Sequence, residues 1–154
     1  MLPNWAPNLH PLVVHFPIVF VLTAALLDWL DVVFGKPDWL RSTAIRLWAA
    51  GGVAAVFSYW TGTRAAATVF VPGMAHPMIE DHRVWALTTA LFVGTFALVQ
   101  VGTHVAGLAR SRSIRVSLAV GGLVAALLVQ QTAERGGRLV YEQGVGVVTA
   151  PRTR

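Results

Sequence analysis

The chain has 154 residues, 55% of them hydrophobic and only 12% charged, with a formal net charge of +5 and no cysteine. A soluble domain carries roughly 25% charged residues, so a water-facing globule is excluded as the main architecture. The missing cysteines exclude disulfides, thiolate zinc sites, cysteine-held iron–sulfur clusters and covalently attached c-type haem. The basic residues flank apolar runs and form no stripe. They read as topogenic charge at membrane ends, and nucleic acid is not expected as a partner.

Spanning the hydrocarbon of a bilayer takes about 20 mostly apolar residues in a helix. Four stretches meet that condition, at about residues 11–33, 43–63, 83–109 and 115–133. Lipid offers no partner to an unpaired backbone group, and no alternating strand pattern suggests a barrel. The expected fold is therefore all-α: an integral membrane four-helix bundle in one domain, residues 1–154. The start Met1-Leu2-Pro3-Asn4-Trp5 lacks the basic region of a signal peptide, so the first span reads as retained.

Local punctuation agrees. Pro11 and Pro77 stand where a proline suits a helix start. Gly35-Lys36-Pro37-Asp38 reads as a stop and turn, and Gly136-Gly137 as a C-terminal cap. Trp5, Trp29, Trp39, Trp60 and Trp85 fall near span ends, as an aromatic belt does; Trp48 lies inside span two. Lys36, Arg41, Arg46, Arg110, Arg112 and Arg115 gather at the two tight loops. The positive-inside rule then places those loops in the cytoplasm of a bacterial inner membrane, with both termini extracytoplasmic. Arg135, Arg138, Arg152 and Arg154 in the tail pull against that orientation. The apolar, glycine-bearing segment 136–147 reads as an ordered extracytoplasmic tail.

On this topology His10, His15, His76 and His82 collect on the outer side. The texts His10-Pro11-Leu12-Val13-Val14-His15 and His76-Pro77-Met78-Ile79-Glu80-Asp81-His82 resemble each other, as do Thr61-Gly62-Thr63-Arg64 and Thr132-Ala133-Glu134-Arg135. This hints at a duplicated two-helix hairpin. Ionisable groups inside spans are costly and tend to be functional. Two imidazoles on different inward-running helices, His15 and His82, can ligate a haem iron axially in a bundle core. Arg64, Arg83, Arg135 and Arg138 are the candidates for neutralising its propionates. The plain alternative is that each histidine caps carbonyls or binds water at the headgroups. Met74, Met78, Glu80 and Asp81 lie near His76 and His82, so copper or zinc, with His10, His15, His76 and His82 as ligands, is a weaker alternative to haem b. At the inner end Asp28 or Asp31 is expected to pair with His104 or a loop arginine. Ser58, Tyr59, Gln130 and Gln131 read as interhelical hydrogen-bonding groups, or as donors to a quinone head group.

The stretch His10-Pro11-Leu12-Val13-Val14-His15-Phe16-Pro17, the Gly62 span end, the His82 region and Gly136-Gly137-Arg138-Leu139-Val140-Tyr141 through Gly144-Val145-Gly146-Val147 together resemble the bacterial membrane proteins grouped as domain of unknown function 2231. The resemblance covers about residues 9–147. It implies a four-helix membrane protein, sometimes joined to or encoded near cytochrome-like modules. Relatives often carry a histidine in the tail where this chain has Gln143, which shifts the ligand expectation to His15 and His82. No catalytic motif stands out. The expected role is a redox subunit passing electrons between the quinone pool and an extracytoplasmic cytochrome or larger membrane complex. The alternative is a cofactor-free structural or anchoring subunit; small-molecule or ion transport is a third reading.

Overall fold

The computed structural model describes residues 8–35 and 38–147. Trp5, Lys36, Pro37, Arg152 and Arg154 lie outside the described residues. Four long helices account for most of the rest. Helix α1 is His10–Phe34, with Val14 interrupting its regularity while keeping right-handed dihedrals (φ −60°, ψ −25°). Helices α2, α3 and α4 are Asp38–Ala66, His76–Val105 and Arg112–Tyr141. Single 3₁₀ turns at Gly73–Ala75 and Leu108–Arg110 prepare α3 and α4. No strand occurs among the described residues.

Pro11 and Pro77 occupy first turns, where a missing N–H leaves no bond unmade. Gly35 closes α1 with a left-handed φ of +67°, its N–H donating to the Asp31 carbonyl at 2.9 Å. The expected stop at Gly136-Gly137 is corrected: α4 runs on to Tyr141. The buried Leu139 secures its last turns, and the termination is at Gly144, φ +65°, where Val145 N–H reaches back to the Leu139 carbonyl at 3.0 Å.

The helices alternate in direction, and each packs on its chain neighbours. Helix α4 also closes the ring against α1. Helices α1 and α3 therefore occupy one diagonal, α2 and α4 the other. The core is built from small side chains and one large one. Ala24, Ala25, Ala55, Ala97 and Ala125 share one core cluster with the fully buried Trp48, whose ring meets Phe96 edge-on at 4.8 Å. Small residues let backbones approach closely where no hydrophobic force separates helix from lipid. A Cβ on Gly52 would stand only 2.8 Å from the Ala97 Cβ.

Polarity is distributed inside out. Asp28, Asp31, Arg41 and Gln100 are buried, while Phe16, Leu26, Leu91 and Leu98 are more than half exposed along the helices. An exposed apolar surface of this extent marks a lipid-facing protein. Helices α1, α4 and α3 with its preceding turn are long and apolar enough to cross a membrane. Helix α2 falls short of that apolarity, a difference from the four spans expected. It carries Arg46, Ser58, Tyr59 and three tryptophans, together with the glycine pair Gly51-Gly52 that packs on α1 and α3.

The buried positions repeat. On α1 and α3, residues 72 positions apart face inward together: Pro17 and Thr89, Val21 and Val93, Ala25 and Ala97, Asp28 and Gln100. On α2 and α4 the offset is 74: Ala44 and Leu118, Ile45 and Ala119, Trp48 and Gly122, Gly51 and Ala125, Ala55 and Val129, Ala65 and Leu139. The two hairpins are thus equivalent in which faces they bury. In this register His10 (plus 72) corresponds to His82, not to His76. Matching the His-Pro pairs aligned two helix-start signals instead of two buried faces.

Candidate functional site

Two polar centres occupy opposite ends of the bundle. At the tight-loop end Asp28 is the hub. Its Oδ1 accepts from Arg41 Nη1 at 3.1 Å, and its Oδ2 from Trp48 Nε1 at 2.7 Å and Gln100 Nε2 at 2.6 Å. One carboxylate thereby ties α1 to α2 and α3. One turn further on, Asp31 faces Arg115 Nη1 at 3.4 Å and ties α1 to α4. Arg41 and Arg115 are themselves equivalent in the 74-residue register, each in the first turn of its helix. The sequence pointed to Asp28 and Asp31 and to a loop arginine, but not to Trp48 or Gln100 as partners. His104, the alternative partner, is exposed. A tryptophan displaced from the aromatic belt was the available signal for Trp48: an indole N–H inside a span needs an acceptor.

At the other end, where both chain termini lie, are the histidines. His10 begins α1, and its Nδ1 lies 3.2 Å from Thr61 Oγ1 on α2. The ring rests on Gly62, where a Cβ would stand 3.0 Å from its Cε1. His82, on the diagonal helix α3, repeats this arrangement on α4. Its ring rests on Gly136, with 3.1 Å between Cε1 and the place of a Cβ, and lies beside the Thr132 carbonyl. Gly62 and Gly136, and Ser58 and Thr132, stand 74 positions apart, so both seats belong to the repeat. The His82 Nδ1 is buried without a hydrogen-bond partner. The two imidazoles are within electrostatic reach of each other across the bundle.

The remaining sequence candidates are placed differently. His15 is exposed on α1. His76 is exposed and turned onto the Gly73 carbonyl at 3.1 Å. The repeat therefore seats His10 and His82 at equivalent positions, and leaves His15 and His76 exposed. The missing signal was rotational: five residues separate His10 from His15, so on one helix they point in different directions. Arg64 stacks over Trp60 at 5.2 Å. Arg83 is paired with Glu80 and Arg138 with Glu142. Arg135 is held by Asp81 at 2.9 Å and by Gln131, and lies 4.0 Å over the Trp85 ring. Arg135 directly precedes Gly136 and is the arginine at the His82 seat. Met74 is almost fully exposed, and no cluster of three or more His, Cys, Asp or Glu side chains placed for a metal occurs among the described residues. Ser58 is buried at the His10 seat, whereas Gln130 is exposed.

A lipid-facing helical bundle with a paired polar interior invites comparison with known families. The model of a family described as predicted membrane protein, DUF2231, matches residues 6–149. The chain belongs to the DUF2231 family. The match takes in all four helices and both histidine seats, so the bundle is the DUF2231 domain itself and not an appendage to it. No curated protein and no solved structure matches the chain significantly.

Proposed function

We propose that this DUF2231 protein is a membrane redox subunit that carries a metal-centred group, b-type haem first, between His10 and His82. The observation supporting it is the pair of seats. Two imidazoles stand on diagonal helices at equivalent positions of a repeat, and a ring nitrogen of one is buried with no partner. A buried polar atom left unpaired costs about 1–3 kcal/mol, and a ligand offsets that cost. Thr61 Oγ1, 3.2 Å from His10 Nδ1, is the outer partner that would orient His10 as a ligand. Arg135 is the arginine of the seat for a carboxylate substituent, in exchange for Asp81. Bound haem supplies one-electron chemistry. Electrons would come from a quinol in the bilayer and leave to a cytochrome-like partner at the terminal end. By the positive-inside rule, Arg41, Arg46, Arg110, Arg112 and Arg115 at the tight-loop end support a cytoplasmic setting for that end and an outer one for both termini.

A second reading, a cofactor-free anchoring subunit of a larger complex, is favoured by a separate observation. Each imidazole fills a glycine notch within its own hairpin, and Arg83, Arg135 and Arg138 are already paired with carboxylates. An optical spectrum and elemental analysis of protein purified from membranes separate the two. A Soret band with iron near one per chain supports the redox subunit. Copper or zinc in place of iron replaces haem by a bis-imidazole metal site. Neither band nor metal leaves the anchoring subunit.

A further inference from the structure

We propose that Thr61 is a positioning residue that locks His10 in the tautomer with its proton on Nδ1, leaving the lone pair on Nε2. The argument is one of donors and acceptors. The Thr61 hydroxyl has one proton, and it is committed: Oγ1 donates to the Ser58 carbonyl at 2.9 Å. The same oxygen lies 3.2 Å from His10 Nδ1. With its proton given away, the hydroxyl offers Nδ1 only a lone pair. An unprotonated Nδ1 there would set two lone pairs against each other in a low-dielectric interior, so Nδ1 carries the hydrogen. In neutral imidazole a proton on Nδ1 removes it from Nε2.

The second hairpin does this differently. The position equivalent to Thr61, 74 residues on, is Arg135, and its guanidinium is occupied by Asp81 and Gln131. A guanidinium has no lone pair to offer, so Arg135 cannot hold a ring N–H as Thr61 does. His82 Nδ1 has no partner at all. The two imidazoles, alike in position, are therefore unlike in preparation: His10 is fixed in one tautomer by a hydroxyl relay, and His82 is not. This concerns the same imidazole site as the proposed function, but it holds whether or not a group is bound.

The test is ¹⁵N NMR of histidine-labelled full-length protein in lipid nanodiscs, with His10 assigned by its absence in His10→Gln. In the wild type the His10 Nδ1 resonance is expected in the protonated range and Nε2 in the unprotonated range, with the Nδ1–H form in at least tenfold excess. Thr61→Val removes the acceptor and is expected to bring the two tautomers to comparable populations. Thr61→Ser, which keeps the relay, restores the wild-type pattern. A His10 that is mainly Nε2-protonated in the wild type overturns the proposal, as does an unchanged tautomer ratio in Thr61→Val. Because the spectrum reads protons on the ring, a protein without haem or metal leaves this result standing or falling alone.

Discussion

The Asp28 hub and the histidine seats are both polar centres inside an apolar bundle, yet they are made differently. Asp28 receives three donors from two neighbouring helices within 3.1 Å, and the guanidinium of Arg41 neutralises its charge. The histidine seats use van der Waals contact on glycine, a 3.2 Å contact to one hydroxyl, and leave His82 Nδ1 unpaired. Buried polar networks that are fully paired rigidify and specify a fold, whereas half-paired ones are high in energy. The Asp28 carboxylate is fully engaged, although Arg41 Nε and Nη2 and Gln100 Oε1 beside it are buried without partners; the first centre joins three helices, whereas the second seats each ring within its own hairpin. Replacing a buried ion pair by apolar residues is often neutral, while removing one member is strongly destabilising.

That contrast can be broken or sharpened by substitution. The largest effect is expected for Asp28→Ala, which strands the Arg41 charge and two N–H donors. A loss of about 3–5 kcal/mol is expected, read by unfolding in mixed micelles. Gly52→Ala comes next: its Cβ would stand 2.8 Å from that of Ala97, forcing α2 and α3 apart for about 1–3 kcal/mol. Arg115→Ala should cost less than Asp28→Ala, because the Asp31 pair is longer, 3.4 Å, and a fifth of the Arg115 side chain is exposed. Gly136→Ala belongs to the other centre. Its Cβ at 3.1 Å from His82 Cε1 displaces a side chain that can give by a few tenths of an ångström. The unfolding midpoint should barely move, while the His82 ring resonances shift. Arg83→Gln, which breaks the exposed pair with Glu80, should leave unfolding nearly unchanged. If Gly136→Ala unfolds the bundle as severely as Asp28→Ala, the two centres are not different in kind.

Much of this architecture is legible in the residues themselves. Long apolar runs, proline at helix starts and the absence of cysteine lead to an all-helical membrane bundle, because lipid permits little else. The tight-loop arginines and Asp28 were visible as costly groups that need partners. Helix register was not: the 72-residue repeat aligns His82 with His10, from which His15 differs in both depth and rotation. It depends on which small residues let neighbours approach, and so His15 was paired with His82 where the packing seats His10. The end of α4 shows a related limit. Gly136-Gly137 has the composition of a cap, but a glycine inside a membrane helix also makes room for a ring, and here it does. Helix α2, expected as a span, is less apolar than its neighbours and carries Trp48 and Thr61, the partners of Asp28 and His10 on α1.

The most direct test of the paired-imidazole account compares three single variants with the wild type in one optical measurement on protein purified from membranes. His10→Ala and His82→Ala are expected to abolish the Soret absorbance, and His15→Ala, which removes only an exposed ring, to preserve it. A wild-type protein without that absorbance, or a band lost with His15 and kept without His10, would contradict the account.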